Sequence, residues 1–173
     1  SVFVENQRRY RDALLVNSTP LIVRSLQKLF PLGFRDLTPI VGLIADYGIF
    51  VVRQDDTREN WEEVLRGLEA NPRGNTFGGG SVRGSLDHIV LALALDAAQI
   101  DPREVRYVPY DGGGKAMLAL LGGEIDVLST GLGETLSFIQ SESVRVLAIT
   151  APVRADAAPD VPTLTELGYP VNF

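Results

Sequence analysis

The sequence predicts an α/β fold with a mostly parallel β-sheet, and two observations support this. Strand-like and helix-like segments alternate from Thr76 onward, which is typical of β-α-β units. Three of the strand-like segments lead into glycine-rich loops, at residues 78–81, 110–114 and 129–133. Because parallel strands place their carboxyl ends at one edge of a sheet, we expect the three loops to converge there.

The elements before Thr76 are less regular than those after it. We predict helices at residues 21–29 and 60–70. Asn60 is suited to cap the second helix because its side chain can accept a hydrogen bond from a first-turn amide, and Asn71-Pro72 ends that helix. Apolar runs predict strands at residues 2–4, 13–16, 38–45 and 48–52.

The elements from Thr76 onward follow from apolar periodicity between polar or glycine-rich loops. Helices are predicted at residues 86–98, 115–121 and 134–140, and strands at residues 76–77, 105–108, 125–128 and 144–149. We interpret Asp46-Tyr47, between two strand-like runs, as a point where the chain crosses between lobes.

Composition excludes several classes of function. The 173 residues are 45% hydrophobic and 22% charged, which is ordinary for a globular protein. A net charge of -6 offers no basic field for nucleic acid or anionic lipid, so neither partner is expected. The absence of cysteine and the single histidine argue against disulfides, thiol catalysis and the usual zinc sites, and no cofactor is expected.

Two further features concern the membrane and the start of the chain. The longest apolar stretch, residues 89–95, is too short to span a membrane, so no direct membrane insertion is expected. The sequence begins without Met or a signal-type segment, which we interpret as a mature or trimmed chain.

The loop from Gly78 to Ser85 is the most informative motif. Glycines let backbone amides approach a ligand, and a following helix N-terminus favours an anion. Ser81 and Ser85 add hydroxyl groups, and Arg83 can pair with a carboxylate. The alternative is a tight turn with Ser85 as a simple helix cap and Arg83 in water. The spacing matches neither a dinucleotide-binding fingerprint nor a P-loop.

For the other loops, the sequence allows either a contact with a ligand or a structural role. Tyr110, with the glycines that follow Asp111, can contact a ligand or pack beside a glycine turn. Ser129, Thr130 and Gly131 form the third loop, where Glu134 is expected to complement the helix dipole. Ser18 and Thr19, after the strand predicted at residues 13–16, are helix caps or ligand contacts.

Catalysis is poorly supported by the sequence. His88 follows Asp87 in the first turn of an apolar helix, and no nucleophile elbow or acid–base carboxylate pair accompanies it. We interpret His88 as a structural residue that ties the glycine loop to the helix, and we expect no enzyme activity.

Several segments together resemble one family. Residues 4–6 resemble its "VEN" strand end, residues 36–40 its "DF-x-P-V/I" segment, and residues 77–88 its "(Y/F)-G-x-G-x-G-x-x-x-H" loop. Residues 108–112 are similar to "VPYKG" and residues 121–126 to "LGGQVD", and residues 146–150 with 159–163 to "LAVT…PDVPT". Their order resembles that of the tripartite tricarboxylate transporter substrate-binding receptors, the TctC or Bug family.

The resemblance implies a two-lobe fold of the periplasmic-binding-protein type II kind. Residues 1–46 would form part of lobe 1, residues 47–168 a complete lobe 2, and residues 169–173 the start of the return to lobe 1. The family's first strand with its ligand loop, and the segment expected after Asn6, have no counterpart here, so lobe 1 is expected to be partial.

The resemblance also implies a periplasmic receptor that captures a small mono-, di- or tricarboxylate and delivers it to the subunits of a membrane transporter. Asp111 stands where many relatives carry Lys, and it disfavours a highly charged ligand unless it points to solvent. The implied ligand-binding residues lie in four loops: Ser18, Thr19, Gly80, Ser81, Val82, Arg83, Gly84, Ser85, Tyr110, Asp111, Gly112, Thr130 and Gly131.

Two other classes of protein are alternatives to the receptor. The ligand-sensing domain of a transcription regulator can share the two-lobe plan, but it would adjoin a DNA-binding helix-turn-helix, which this sequence lacks. A small α/β hydrolase would need a nucleophile with a base.

Overall fold

The computed structural model describes residues 6–10, 12–29, 32–171 and 173. The described chain divides into two compact units, with the boundary between Ala45 and Asp46. The strand predicted at residues 2–4 lies outside the described residues.

The first unit contains helices α1 (Gln7–Tyr10) and α2 (Thr19–Leu26) and a 3-10 turn (Phe34–Asp36). The strands predicted at residues 13–16 and 38–45 are wrong, because these residues form no strand. A strand needs a hydrogen-bonded neighbour, and the described part of this unit supplies none, so apolar side chains such as Leu14, Val16 and Ile44 stay exposed. The helix predicted at residues 21–29 begins and ends earlier.

The second unit alternates strands and helices as the sequence predicts, with ends that differ from the prediction by at most three residues. Its elements are β1 (Gly48–Arg53), α3 (Trp61–Ala70), β2 (Thr76–Gly79), α4 (Leu86–Ala97), β3 (Arg106–Pro109), α5 (Gly113–Leu121), β4 (Val127–Gly131), α6 (Leu132–Gln140) and β5 (Val144–Ile149).

The strands of the second unit form one five-stranded sheet in the order β3-β2-β4-β1-β5. β2 is parallel to both β3 and β4, whereas β1 is antiparallel to both β4 and β5. The α/β class and the predominance of parallel strands are confirmed, since β2, β3, β4 and β5 run in one direction; the sheet is mixed because β1 runs in the other. The alternation of strands and helices in the sequence does not determine the direction of β1. β2 is the next strand in the sequence, but β4 lies between β1 and β2 in the sheet.

Helices cover both faces of this sheet. On one face, the rings of Phe50 and Trp61 stack with their centroids 4.3 Å apart, and the core there includes Leu68 and Leu95. On the other face, Ile49 packs in a cluster with Leu120. Phe50 and Ile49 are adjacent in β1, so alternate residues of this strand enter both cores. Burial of each such side chain contributes about 1.5–3 kcal/mol.

The parallel pairing of β2 with β3 and β4 brings the carboxyl ends of these strands to one edge of the sheet. The register of Gly48 opposite Gly131 adds the start of β1 to the same edge. The predicted convergence of the three glycine-rich loops is therefore confirmed. Within the described ranges, no helix has both the length and the apolar character needed to cross a membrane.

Candidate ligand-binding site

The loops after β2 and β3 are joined directly through their backbones. The Tyr110 amide donates to the Gly79 carbonyl at 2.8 Å, and the Gly112 amide donates to the Gly80 carbonyl at 3.0 Å. A Cβ at Gly80 would fall on the backbone of Gly112 and Gly113, reaching 2.7 Å from the Gly113 Cα. The approach of the two loops therefore requires glycine at position 80.

The loop from Gly80 to Ser85 is held by hydrogen bonds from its neighbours. The Ser81 hydroxyl accepts from the Asp87 amide at 3.1 Å, and the Ser81 carbonyl accepts from the Tyr107 hydroxyl at 2.9 Å. Gly84 has a positive φ of 78°, a conformation that favours glycine, and its amide donates to His88 Nδ1 at 3.2 Å. This last bond ties the loop to α4, which agrees with the structural role predicted for His88.

Three side chains are in contact beside this loop, those of Arg83, His88 and Tyr107. The imidazole meets the Tyr107 ring edge-on, with centroids 4.8 Å apart, and Arg83 Nη2 donates to the Tyr107 carbonyl at 2.6 Å. Burial lowers the pKa of His88, and the Arg83 charge lowers it further. Burial also raises the pKa of Tyr107 to about 12, so its hydroxyl keeps its proton at neutral pH.

Several polar groups of the loop have no acceptor within the protein. In the described part of the chain, the backbone amides of Ser81, Val82 and Arg83 donate to no protein atom. Ser85 stands at the N-cap of α4 and is buried, but its side chain makes no capping bond. Unpaired amides beside the start of a helix can bind an anion, since both place partial positive charge at one point.

Acidic side chains not predicted as site residues also lie at this edge. Burial raises the pKa of Asp87, and the Glu134 charge acts in the same direction, against hydrogen bonds from Ser81 and Gly80. Glu134 accepts from the Thr130 hydroxyl at 3.2 Å, and Asp46 accepts from the Gly133 amide at 3.2 Å. The Asp46 carboxylate thus lies at the start of α6. Its pairing crosses 87 residues of sequence, so no local pattern could have indicated it.

The remaining predicted residues of the second unit have specific placements. The Tyr110 ring lies over Gly78, and its hydroxyl donates to Glu124 Oε2 at 3.4 Å. The Asp111 side chain is 96% exposed and pairs with Lys115 at 3.1 Å, so it points to solvent. Thr130 is buried, and Gly131 lies against Asp46.

Ser18 and Thr19 belong to the first unit. Ser18 precedes α2 as its N-cap but makes no side-chain capping bond, and its amide donates to Asn17 Oδ1 at 2.8 Å. Among the described residues, no group of three or more His, Cys, Asp or Glu side chains could hold a metal ion.

The mixed α/β sheet, with glycine loops and helix N-termini at one edge, corresponds to type II periplasmic solute-binding proteins. A family model described as "Tripartite tricarboxylate transporter family receptor", TctC, matches residues 14–172. The chain belongs to this family, whose members are solute receptors and not enzymes.

Two relatives illustrate the match. BugT of Bordetella pertussis is 30% identical over 167 residues, which cover 93% of this chain and 49% of that protein. A protein of Agrobacterium vitis from the ttuE-ttuC' intergenic region is 32% identical over 129 residues, covering 74% of this chain and 36% of that protein. The chain thus spans about half the length or less of these relatives.

Solved structures share the fold. The crystal structure of a TctC solute-binding protein from Polaromonas, without ligand, has a TM-score of 0.74 and 26% identity, over 88% of this chain and 51% of that one. MatC from Rhodopseudomonas palustris, with bound malate, has a TM-score of 0.64 and 22% identity, over 72% of this chain and 41% of that one. At that identity, the second similarity concerns the fold alone.

Proposed function

We propose that this chain is part of an extracytoplasmic receptor that binds a small carboxylate and delivers it to a tripartite tricarboxylate-type membrane transporter. Membership of the family supports the receptor role and a periplasmic location. In this proposal, residues 1–46 form part of lobe 1, residues 47–168 form lobe 2, and residues 169–173 begin the return to lobe 1.

The observation that carries the proposal is the run of amides at Ser81, Val82 and Arg83, shortly before α4, for which the described residues supply no acceptor. A carboxylate has acceptor oxygens only, so several N–H donors in one loop suit it. Each charge-assisted hydrogen bond to it is worth about 1.5–3 kcal/mol. Gly80 allows the β3–α5 loop to approach, and the first turn of α5 adds further amides.

The charged groups around the loops favour a ligand with one or two negative charges. Asp46, Asp87 and Glu134 lie at this edge, whereas Arg83 and Lys115 are already engaged with the Tyr107 carbonyl and with Asp111. Each additional negative charge on a ligand would be repelled by these carboxylates. A mono- or dicarboxylate fits better than a fully ionised tricarboxylate, although Asp111 itself points to solvent.

The proposed ligand contacts are the residues that the family resemblance implies. The first unit contributes Ser18 and Thr19 near the start of α2. The second unit contributes the three loops at the ends of β2, β3 and β4, with residues Gly80, Ser81, Val82, Arg83, Gly84, Ser85, Tyr110, Asp111, Gly112, Thr130 and Gly131.

Calorimetric titration of the protein with a panel of solutes tests the proposal. The panel holds malate, succinate, adipate and citrate as acids, glucose as a neutral solute and putrescine as a cation. We expect at least one of the three dicarboxylates to bind and citrate to bind more weakly. Preference for glucose or putrescine over every acid would exclude an anion site.

A further inference from the structure

The bond between Gly84 and His88 requires one protonation state of the imidazole. The Gly84 amide donates to Nδ1 at 3.2 Å, so Nδ1 must carry a lone pair and the ring must be neutral. Gly84 occupies the left-handed region with φ 78°, which directs its amide toward α4. A protonated ring would present N–H to N–H at this contact, and the bond would be lost.

The same imidazole supports the loop through Tyr107. The ring of Tyr107 packs against the imidazole edge, and its hydroxyl donates to the Ser81 carbonyl at 2.9 Å. His88 therefore holds the loop at Gly84, and Tyr107, which packs against His88, holds the loop at Ser81. Between these two anchors lie the amides of Val82 and Arg83, which have no acceptor within the described protein.

The groups that face the imidazole oppose its protonation. Arg83 approaches from the loop and Tyr107 from β3, and neither supplies a negative charge at neutral pH. Asp87 precedes His88 in α4, but its carboxyl group takes hydrogen bonds from Ser81 and Gly80. Burial and Arg83 lower the pKa of His88 from its ordinary value, so protonation and loss of the bond follow only when the pH falls below this lowered pKa.

We propose that His88 is a positioning residue that holds the 80–85 loop in its ligand-binding conformation only while its imidazole is neutral, so that acid pH weakens carboxylate binding. This inference rests on the proposed carboxylate site. Protonation also adds a positive charge near the loop, and a purely electrostatic effect would strengthen binding of an anion instead. The two effects therefore have opposite signs.

Two substitutions separate these effects. His88→Asn keeps an acceptor oxygen at the position of Nδ1 and does not titrate, whereas His88→Ala removes the acceptor. Titrations with malate and adipate at pH 7.5 and at an acid pH one unit below the His88 pKa, which an NMR titration measures, give the affinities. At that acid pH, the unsubstituted protein should bind about three- to tenfold more weakly than His88→Asn, after both are normalised at pH 7.5. His88→Ala should bind about three- to tenfold more weakly at pH 7.5.

A second measurement does not depend on the ligand. Hydrogen exchange of the Gly84 amide should be slow in the unsubstituted protein and in His88→Asn at pH 7.5, and fast in His88→Ala. At the acid pH below the measured His88 pKa, protection should persist in His88→Asn alone. His88 is the one histidine of the sequence, so its ring signals in an NMR titration give its pKa without ambiguity.

The outcomes distinguish this inference from the proposed function. Binding of none of the acids would end the carboxylate proposal, while the exchange data would still decide the His88 contact. Acid weakening that is equal in His88→Asn and in the unsubstituted protein would overturn the inference. Stronger binding at the acid pH that His88→Asn abolishes would overturn it as well, since it would show an effect of charge alone.

Discussion

Asp87 places a carboxyl group directly beside the amides that we propose as the anion site. It takes hydrogen bonds from the Ser81 side chain and the Gly80 amide, while burial and Glu134 raise its pKa above 3.8. The folded state therefore binds this proton more strongly than the unfolded chain. The stabilising effect of Asp87 is present at pH values below 3.8 and is lost as the pH rises through its raised pKa.

Asp87→Asn should increase both carboxylate affinity and stability at neutral pH. The amide keeps a hydrogen-bond acceptor for Ser81 and Gly80 but removes a negative charge next to the bound anion. We expect affinity to rise about three- to tenfold in calorimetric titration, with a higher unfolding temperature at pH 7.

Asp55→Asn is the matched control for this prediction, because the Asp55 side chain is 80% exposed and pairs with Arg53 at the end of β1 away from the glycine loops. It should change affinity by less than about twofold, since water and salt screen an exposed charge. Equal increases in the two variants would show that Asp87 acts through the net charge of the protein and not through its position.

The roles of Asp87 and His88 differ in how far the sequence reveals them. His88 bonds to Gly84, four residues away, and the glycine loop before an apolar helix was enough to predict this tie. The environment of Asp87 depends on Glu134, which lies 47 residues later and reaches the site through the sheet order. Local spacing carries no information about such a neighbour.

At the scale of elements, α3 shows what local sequence determines well. Its boundaries follow from Asn60, whose side chain accepts from the Glu63 amide at 3.0 Å, while Glu63 Oε2 accepts from the Glu59 amide at 2.7 Å. The strands predicted at residues 13–16 and 38–45 were wrong because a strand also depends on its neighbours. The direction of β1 was missed for the same reason.

Asn60→Ala should lower the free energy of unfolding by about 1 kcal/mol, because the amide of Glu63 loses its capping acceptor. Asn60→Asp keeps an acceptor and adds a negative charge at the helix N-terminus, so it should retain the stability. Urea denaturation of the three proteins gives the comparison. A loss of similar size in both variants would mean that the cap is not the source of the effect.

Gly80→Ala should weaken carboxylate binding by more than about tenfold. A Cβ there would fall on the backbone of Gly112 and Gly113, which cannot move aside as a flexible side chain can, so the two loops must separate. Titration with malate and adipate, alongside circular dichroism to verify folding, measures this effect.

Gly114→Ala is the control for the glycine prediction, because no atom lies within 4 Å of a Cβ at this position in α5. It should leave affinity nearly unchanged and stabilise the helix by up to about 1 kcal/mol. If Gly114→Ala weakened binding as much as Gly80→Ala, the cause would be altered loop flexibility and not the steric contact.

At the scale of the molecule, the two edges of the sheet differ in how their polar groups are paired. At the edge away from the glycine loops, Arg58 bonds to Asp56 and Asn75, and Arg145 donates to backbone carbonyls including that of Arg58. At the loop edge, the amides of Ser81, Val82 and Arg83 have no acceptor among the described residues. Val82 and Arg83 are exposed, so water is the ordinary partner of their amides, and an anion that binds at this edge would replace that water.

The chain from Asp46 to Phe173 should fold by itself and bind carboxylates more weakly than the whole chain. The buried residues of the described chain all lie in this unit, which includes Asp46 and its bond to the Gly133 amide, so its thermal unfolding should be cooperative. The proposal that Ser18 and Thr19 contact the ligand predicts that binding to malate or adipate is at least about tenfold weaker in this fragment, since two hydroxyl donors are removed. Calorimetry on the two lengths measures the difference. Equal affinity in a folded fragment would mean that the second unit alone forms the site and that residues before Asp46 take no part in holding the ligand.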